Sequence, residues 1–188
     1  MEKLKQILAF NEQFVETKGY LPYMSDKFPN ARLLIVTCMD TRLTELLPQA
    51  MNIKNGDAKI LRVAGAMITE PYGSIMRSVL VAVTQLKVEE IMVVGHHDCG
   101  MVGLEGEQMI RSLQQKGISL EKMKQFDKPG ETVEAWLTGV NSVEGAVLRS
   151  VQMIKEHPLF PHDIPVHALT ITPDTGKLEV IHVENSVS

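Results

Sequence analysis

Two rhythms of apolar residues run along this 188-residue chain. Short, unbroken, β-branched runs at residues 31–37 and 90–94 read as strands buried on both faces of a parallel sheet, and residues 58–63 read as a third strand, introduced by the Asn55-Gly56-Asp57 turn signal. Between them, residues 43–49 and 73–86 carry helical patterns. At the amino end Leu4, Ile7, Leu8, Phe14 and Val15 share one helical face, and Gly19 and Pro22 end that helix. Its apolar face needs something to cover. Strands alternating with helices predict a parallel sheet joined by right-handed crossovers.

The last third is less regular. Gly103, Gly106, Gly117 and the Lys128-Pro129-Gly130 turn break the helical stretches, and residues 131–156 read as a long helical region interrupted near Gly139 and Gly145. Pro158, Pro161 and Pro165 precede a strand at 166–171, and Thr175-Gly176 turns into a last strand at 178–183, a hairpin at an antiparallel sheet edge. No linker, repeat or low-complexity segment divides the chain. The expected fold is α/β: a single domain over residues 1–188, with a central, mostly parallel sheet flanked by helices, an amphipathic N-terminal helix and a C-terminal strand pair.

Composition narrows the partners. At 44% hydrophobic and 22% charged, the chain is long enough for one sizeable core. Nineteen Lys and Arg against 23 Asp and Glu give a net charge of -4 with no basic cluster, so no nucleic-acid partner is expected. The apolar stretch at 7–10 is cut off by Asn11-Glu12 before it could serve a signal peptide, and no run approaches a membrane span. Two cysteines without a secretory signal point to a reducing, cytoplasmic compartment.

Those two cysteines carry the chemistry. Cys38 and Cys99 sit at the ends of two apolar runs, in Cys38-Met39-Asp40-Thr41-Arg42 and Gly95-His96-His97-Asp98-Cys99-Gly100. Ligands of open α/β sheets bind outside the carboxyl ends of strands, so Cys38, His96 and Cys99 can converge there. Two thiolates and one imidazole suit zinc and leave a fourth position for water or substrate. Asp40 and Arg42 lie two apart and, on an extended segment, point the same way, so the guanidinium keeps the carboxylate ionised. The plainer alternatives are two inert small hydrophobes and a surface ion pair.

The pattern Cys-x-Asp-x-Arg followed by His-x-x-Cys-Gly after a buried strand resembles the β-class carbonic anhydrases. Arg62-Val63-Ala64-Gly65-Ala66 is similar to that family's Arg-Asn-Ala-Gly segment, and residues 72–83 to its next helix. Val63 replaces the usual asparagine, and Met76-Arg77 replaces the Glu-Tyr of plant-type members, which places the likeness with the short, archaeal-type branch. The resemblance implies zinc-dependent, reversible hydration of CO2 to bicarbonate and a proton by a zinc-bound hydroxide. It implies one Zn2+ per chain on Cys38, His96 and Cys99, with Asp40 and Arg42 as a catalytic dyad. Asp40 would orient the nucleophile and, as an alternative fourth metal ligand, gate the site. It also implies a homodimer or higher homo-oligomer, which would cover the first helix. Two other functions fit the same residues: a zinc hydrolase of CS2 or COS on this scaffold, and a non-catalytic zinc or thiol protein closed by Asp40.

Other residues take plainer roles. Gly100, Gly103 and Gly106 fit neither a Walker loop nor a dinucleotide fingerprint, and Gly100 is expected to let the backbone pass close to the metal. His97 and Asp98 are expected to cap the following helix or face solvent, with proton transfer or a hydrogen bond to a metal ligand as the alternative. His157, His162, His167 and His182 are read as structural, and the eleven methionines as core filler.

Overall fold

A computed structural model describes residues 2–184. Its centre is a five-stranded sheet in the order β2-β1-β3-β4-β5. The strands are β1 (Leu33–Cys38), β2 (Ala58–Val63), β3 (Glu90–His96), β4 (Val166–Ile171) and β5 (Leu178–His182). The first four run parallel, and β5 adds antiparallel to β4 at the edge. All six residues of β1 are buried, and β3 and β4 are nearly so, whereas β2 and β5 are mostly half-exposed. Position in the sheet explains the contrast: three central strands have neighbours on both sides and cover on both faces, and they carry the unbroken apolar runs.

The helices are α1 (Glu2–Glu16), α2 (Leu43–Ala50), α3 (Ser74–Gln85), α4 (Gly106–Gln115), α5 (Leu120–Lys124), α6 (Val133–Leu137) and α7 (Val143–Lys155). The helical region expected at 131–156 is two helices, because residues 138–142 leave the helix. Gly145 does not interrupt α7; it lies in its first turn, where its amide donates to the Ser142 cap at 3.1 Å. The first helix extends over 15 residues and buries none of them against its own chain, leaving Leu4, Ile7, Leu8, Phe10 and Val15 exposed. No helix among the described residues is long and apolar enough to cross a membrane.

Strand boundaries differ from expectation in a way that matters for the site. Arg32 takes a left-handed backbone at φ 52°, so β1 begins at Leu33 and continues through Cys38, while β3 continues through His96. Both residues therefore sit on the hydrogen-bonded sheet rather than in the loops beyond it.

Helix α7 fixes the end of β3. A methyl group on Gly95 would come within 2.6 Å of Val143 Cγ1 and 2.7 Å of Val147 Cγ2, so only glycine lets α7 pack this closely beside His96. Gly95→Ala should lower the free energy of unfolding by about 1–3 kcal/mol, the usual cost of overpacking. Urea denaturation checks it, and an unchanged midpoint would contradict the contact.

Candidate metal centre

Sheet order puts the site together. From β1 the chain moves to β2 on one side, and β3 then returns to the other side of β1, so β1 and β3 flank the point where the connection reverses. Cys38 ends one of these strands and His96 the other, and Cys99 follows three residues later in a turn. The ligand atoms of Cys38, His96 and Cys99 all lie within 4.8 Å of one another, and all three residues are buried. The two sulfurs are 4.0 Å apart. Two bonds of about 2.3 Å at a tetrahedral angle would separate them by about 3.8 Å, so the pair already stands at zinc-ligand spacing.

The imidazole is set up in the same sense. His96 Nδ1 lies 2.8 Å from the His97 carbonyl oxygen, which can only accept; Nδ1 therefore carries the proton and Nε2 is bare. That Nε2 is the one buried side-chain nitrogen or oxygen among the described residues without a hydrogen-bond partner. A buried acceptor left alone is costly, and a cation held with the two sulfurs satisfies it. Burial pushes the Cys99 thiol above its ordinary pKa, with the nearby Cys38 adding to the shift and the Met101 amide opposing it. Burial thus disfavours the Cys99 thiolate unless a positive charge stands beside it.

Asp40 and Arg42 meet through a turn instead of an extended segment. Arg42 is helical in its backbone, and its amide donates to Asp40 Oδ1 at 2.9 Å. Its side chain adds Nε to Oδ1 at 3.1 Å and Nη2 to Oδ2 at 2.8 Å. The charge-assisted Arg42 bonds hold the Asp40 carboxyl at about 2. Asp40 Oδ2 stands 3.7 Å from His96 Nε2, next to the three-ligand group and outside it.

Three residues have larger parts here than their sequence context suggested. Asp98 caps no helix, since α4 begins only at Gly106; its carboxylate accepts from Arg42 Nη1 at 2.9 Å and its carbonyl from Nη2 at 3.0 Å. Arg42 thereby ties the two halves of the motif together. Arg62 donates from Nε to the Cys38 carbonyl at 3.3 Å, from Nη1 to Thr44 Oγ1 at 2.8 Å, and from Nη2 to the Asp40 carbonyl. Gly65 places its amide 3.4 Å from Cys38 Sγ. Gly65 is thus a glycine in close approach to a candidate ligand, and at Gly100 an added methyl group would meet no described protein atom within 4 Å. His97 turns away, with Nε2 3.5 Å from Glu179. His157 is buried between the Pro71 carbonyl and the Leu159 amide.

An apolar hollow of about 510 Å³ lined by Leu113, Met123, Phe126 and Trp136 shares no residue with this centre. The chemistry resides in a compact cluster of side chains at the switch point of the sheet.

An α/β domain that gathers two cysteines and one histidine at its switch point has a site able to hold a metal ion, and comparison with known proteins points to one family. The family model described as carbonic anhydrase matches residues 33–178. The Bacillus subtilis protein named "Putative carbonic anhydrase YvdA" is 51% identical over 181 residues, spanning 96% of this chain and 92% of that protein. A carbon disulfide hydrolase of Acidithiobacillus thiooxidans is 30% identical over 161 residues, spanning 81% of this chain and 78% of that one. The crystal structure of β-carbonic anhydrase isoform I of Trichomonas vaginalis superposes with a TM-score of 0.88 at 32% identity, over 98% of this chain and all of that one. The chain belongs to the β-carbonic anhydrase family.

The Arg42 clamp makes a measurable statement about acidity. Because the folded pKa of Asp40 is depressed, the pair contributes its full stability above the unfolded value of about 4 and loses it as pH falls toward 2. Carbon-detected NMR of the metal-free protein should show Asp40 titrating near 2, and Arg42→Lys, which replaces a planar fork with a point charge, should raise it toward the ordinary carboxylate range. A normal Asp40 titration in the parent protein would contradict the clamp.

Proposed function

We propose that this chain is a zinc-dependent carbonic anhydrase, hydrating CO2 reversibly to bicarbonate and a proton, with one zinc ion held by Cys38 Sγ, His96 Nε2 and Cys99 Sγ. The bare, buried Nε2 of His96 facing two sulfurs carries this reading. Bound there, zinc would supply a water acidic enough to furnish hydroxide near neutral pH. The protein's own part is orientation. Asp40 accepts three hydrogen bonds from Arg42, two on Oδ1 and one on Oδ2. Of the roughly four lone-pair sites of a carboxylate, the one left belongs to Oδ2, the oxygen nearer His96. An ionised carboxylate can only accept, so a hydroxyl beside it must turn its hydrogen to Asp40 and its free lone pair toward substrate. Held by Arg42 in this way, Asp40 has that one Oδ2 site to offer, either to a hydroxyl beside it or to a bound metal itself.

The likeness to carbon disulfide hydrolases supports a second reading, attack on CS2 or COS by the same machinery. The experiment is stopped-flow hydration of CO2 by zinc-loaded protein across pH, with CS2 turnover measured beside it. Carbonic anhydrase activity at about one zinc per chain by elemental analysis is expected, and Cys99→Ala should lose both metal and activity. Turnover of CS2 without hydration of CO2 would move the assignment to the second reading, and full zinc in Cys99→Ala would sink the ligand set.

The same proposal includes a cytoplasmic homodimer or larger homo-oligomer. An isolated helix of about 15 residues is marginal in water, and α1 buries no residue on its own chain. A second copy covering Leu4, Ile7 and Leu8 would supply that packing. Sedimentation should give at least a dimer, and Ile7→Asp with Leu8→Asp should reduce its mass. A parent protein that sediments as a monomer would overturn this part.

A further inference from the structure

The metal centre leans on a turn outside the ligand motif. After β2 the chain passes through two successive left-handed residues, Gly65 at φ 66° and Ala66 at φ 56°. Alanine seldom adopts that conformation, because its Cβ crowds the following carbonyl oxygen, so Ala66 must be held there. Ser150 of α7, only 1% exposed, supplies the hold. Its hydroxyl lies 3.0 Å from the Ala66 carbonyl and accepts from the Ile68 amide at 3.0 Å. The hydroxyl is also 3.1 Å from the Ala146 carbonyl, an oxygen already engaged in the α7 hydrogen-bond ladder. At the front of the same turn the Gly65 amide donates to Cys38 Sγ at 3.4 Å. A methyl group on Gly65 would meet Met67 Sδ at 3.0 Å and Met101 Cγ at 3.1 Å, so the turn has little room to move.

We propose that Ser150 is a positioning residue for the metal centre: by holding the Gly65–Ala66 turn it aims the Gly65 amide at Cys38 Sγ and so sets the charge this thiolate offers to a bound metal. The inference rests on the reading of Cys38 as a metal ligand. An N–H donated to a thiolate stabilises its negative charge, the form in which sulfur binds a metal, and fixes its direction. Helix α7 then indexes both sides of the centre, the His96 side through Val143 and Val147 against Gly95 and the Cys38 side through Ser150.

The test compares the parent protein, Ser150→Ala and a control, Val151→Ala, which opens the core on the same helix. Each is loaded with Co2+, whose sulfur-to-metal charge-transfer band reports the donor strength of the thiolates, and separately with zinc against a competing chelator. Ser150→Ala should remain folded by circular dichroism, show a displaced band, and release zinc at least about tenfold more readily, the usual effect of losing a partner behind a ligand. Val151→Ala should lose thermal stability while keeping the parent's band and zinc affinity. Parent-like values in Ser150→Ala, or the same changes in Val151→Ala, would overturn the proposal. A measurement on the parent protein requires no variant to fold: the Gly65 amide should be protected from hydrogen exchange and, with 113Cd bound, coupled to the metal through the Cys38 sulfur. An unprotected, uncoupled amide also overturns it. A parent that binds no metal sinks the metal reading and this inference with it, whereas failure confined to the variants sinks this inference alone.

Discussion

The lateral pairing of β1 with β3 is the constraint on which the centre depends. With Thr37 opposite Val94, the carboxyl ends of the two strands stand side by side, at the roughly 4.8 Å spacing of neighbouring strands. Cys38 and His96 are the residues at those ends. A slip of either strand by one residue would shift one donor about 3.3 Å along the sheet relative to the other and turn every side chain of the slipped strand to its other face. Specific contacts hold the register: the Thr37 hydroxyl donates to the Val94 carbonyl at 2.9 Å, and Gly95 is the residue without a side chain where α7 brings Val143 and Val147 against β3. The core that stabilises the fold therefore also fixes the metal-donor geometry.

Around this rigid pair, the cost of placing polar groups in the core is met locally. Thr37 donates to the Val94 carbonyl at 2.9 Å, and Ser150 meets the turn after β2. His96 Nε2 is the exception, and that exception falls where the donor chemistry calls for a cation. A structural core histidine would have found a partner for both ring nitrogens, as His157 does with the Pro71 carbonyl and the Leu159 amide. That difference sets His96 apart from a brace such as His157 and suits it to the proposed ligand role.

Much of this was legible in the sequence, because strand burial and the zinc-type donors leave local marks: unbroken β-branched runs, and Cys or His at their ends. The C-terminal strand pair and the α/β order were readable for the same reason. What escaped was non-local. Asp98 looked like a helix cap because aspartate favours that position, yet its partner Arg42 lies in the other half of the motif. Ser150 sits within a helix pattern where serine carries no signal, and its role follows only from the turn it meets across the core. The approach of Gly65 to Cys38 was likewise hidden, since nothing in a sequence tells which glycine another part of the chain will approach. Of the two interruptions read near Gly139 and Gly145, the first falls in the break between α6 and α7, and the second is drawn by the Ser142 cap into a helical turn.

The exposure of the charged groups bears on which work they can do. From the metal centre outward, side-chain exposure rises from 0% at His96 to 20% at Asp40, 41% at Arg42 and 87% at Asp98. This row of alternating charge resembles a path for the proton that each hydration of CO2 must release. The acidity of Asp40 argues otherwise. A carboxyl held at about 2 is protonated in only about one molecule in 10⁵ at neutral pH, which follows from a gap of five pKa units. Arg42 cannot give up a proton at all under those conditions. The pair is thus suited to fixing the direction of a hydrogen bond and unsuited to storing a proton. On the proposed function, Asp40 orients the nucleophile, and the proton leaves through water or buffer at the exposed rim, where Asp98 and His97 meet solvent.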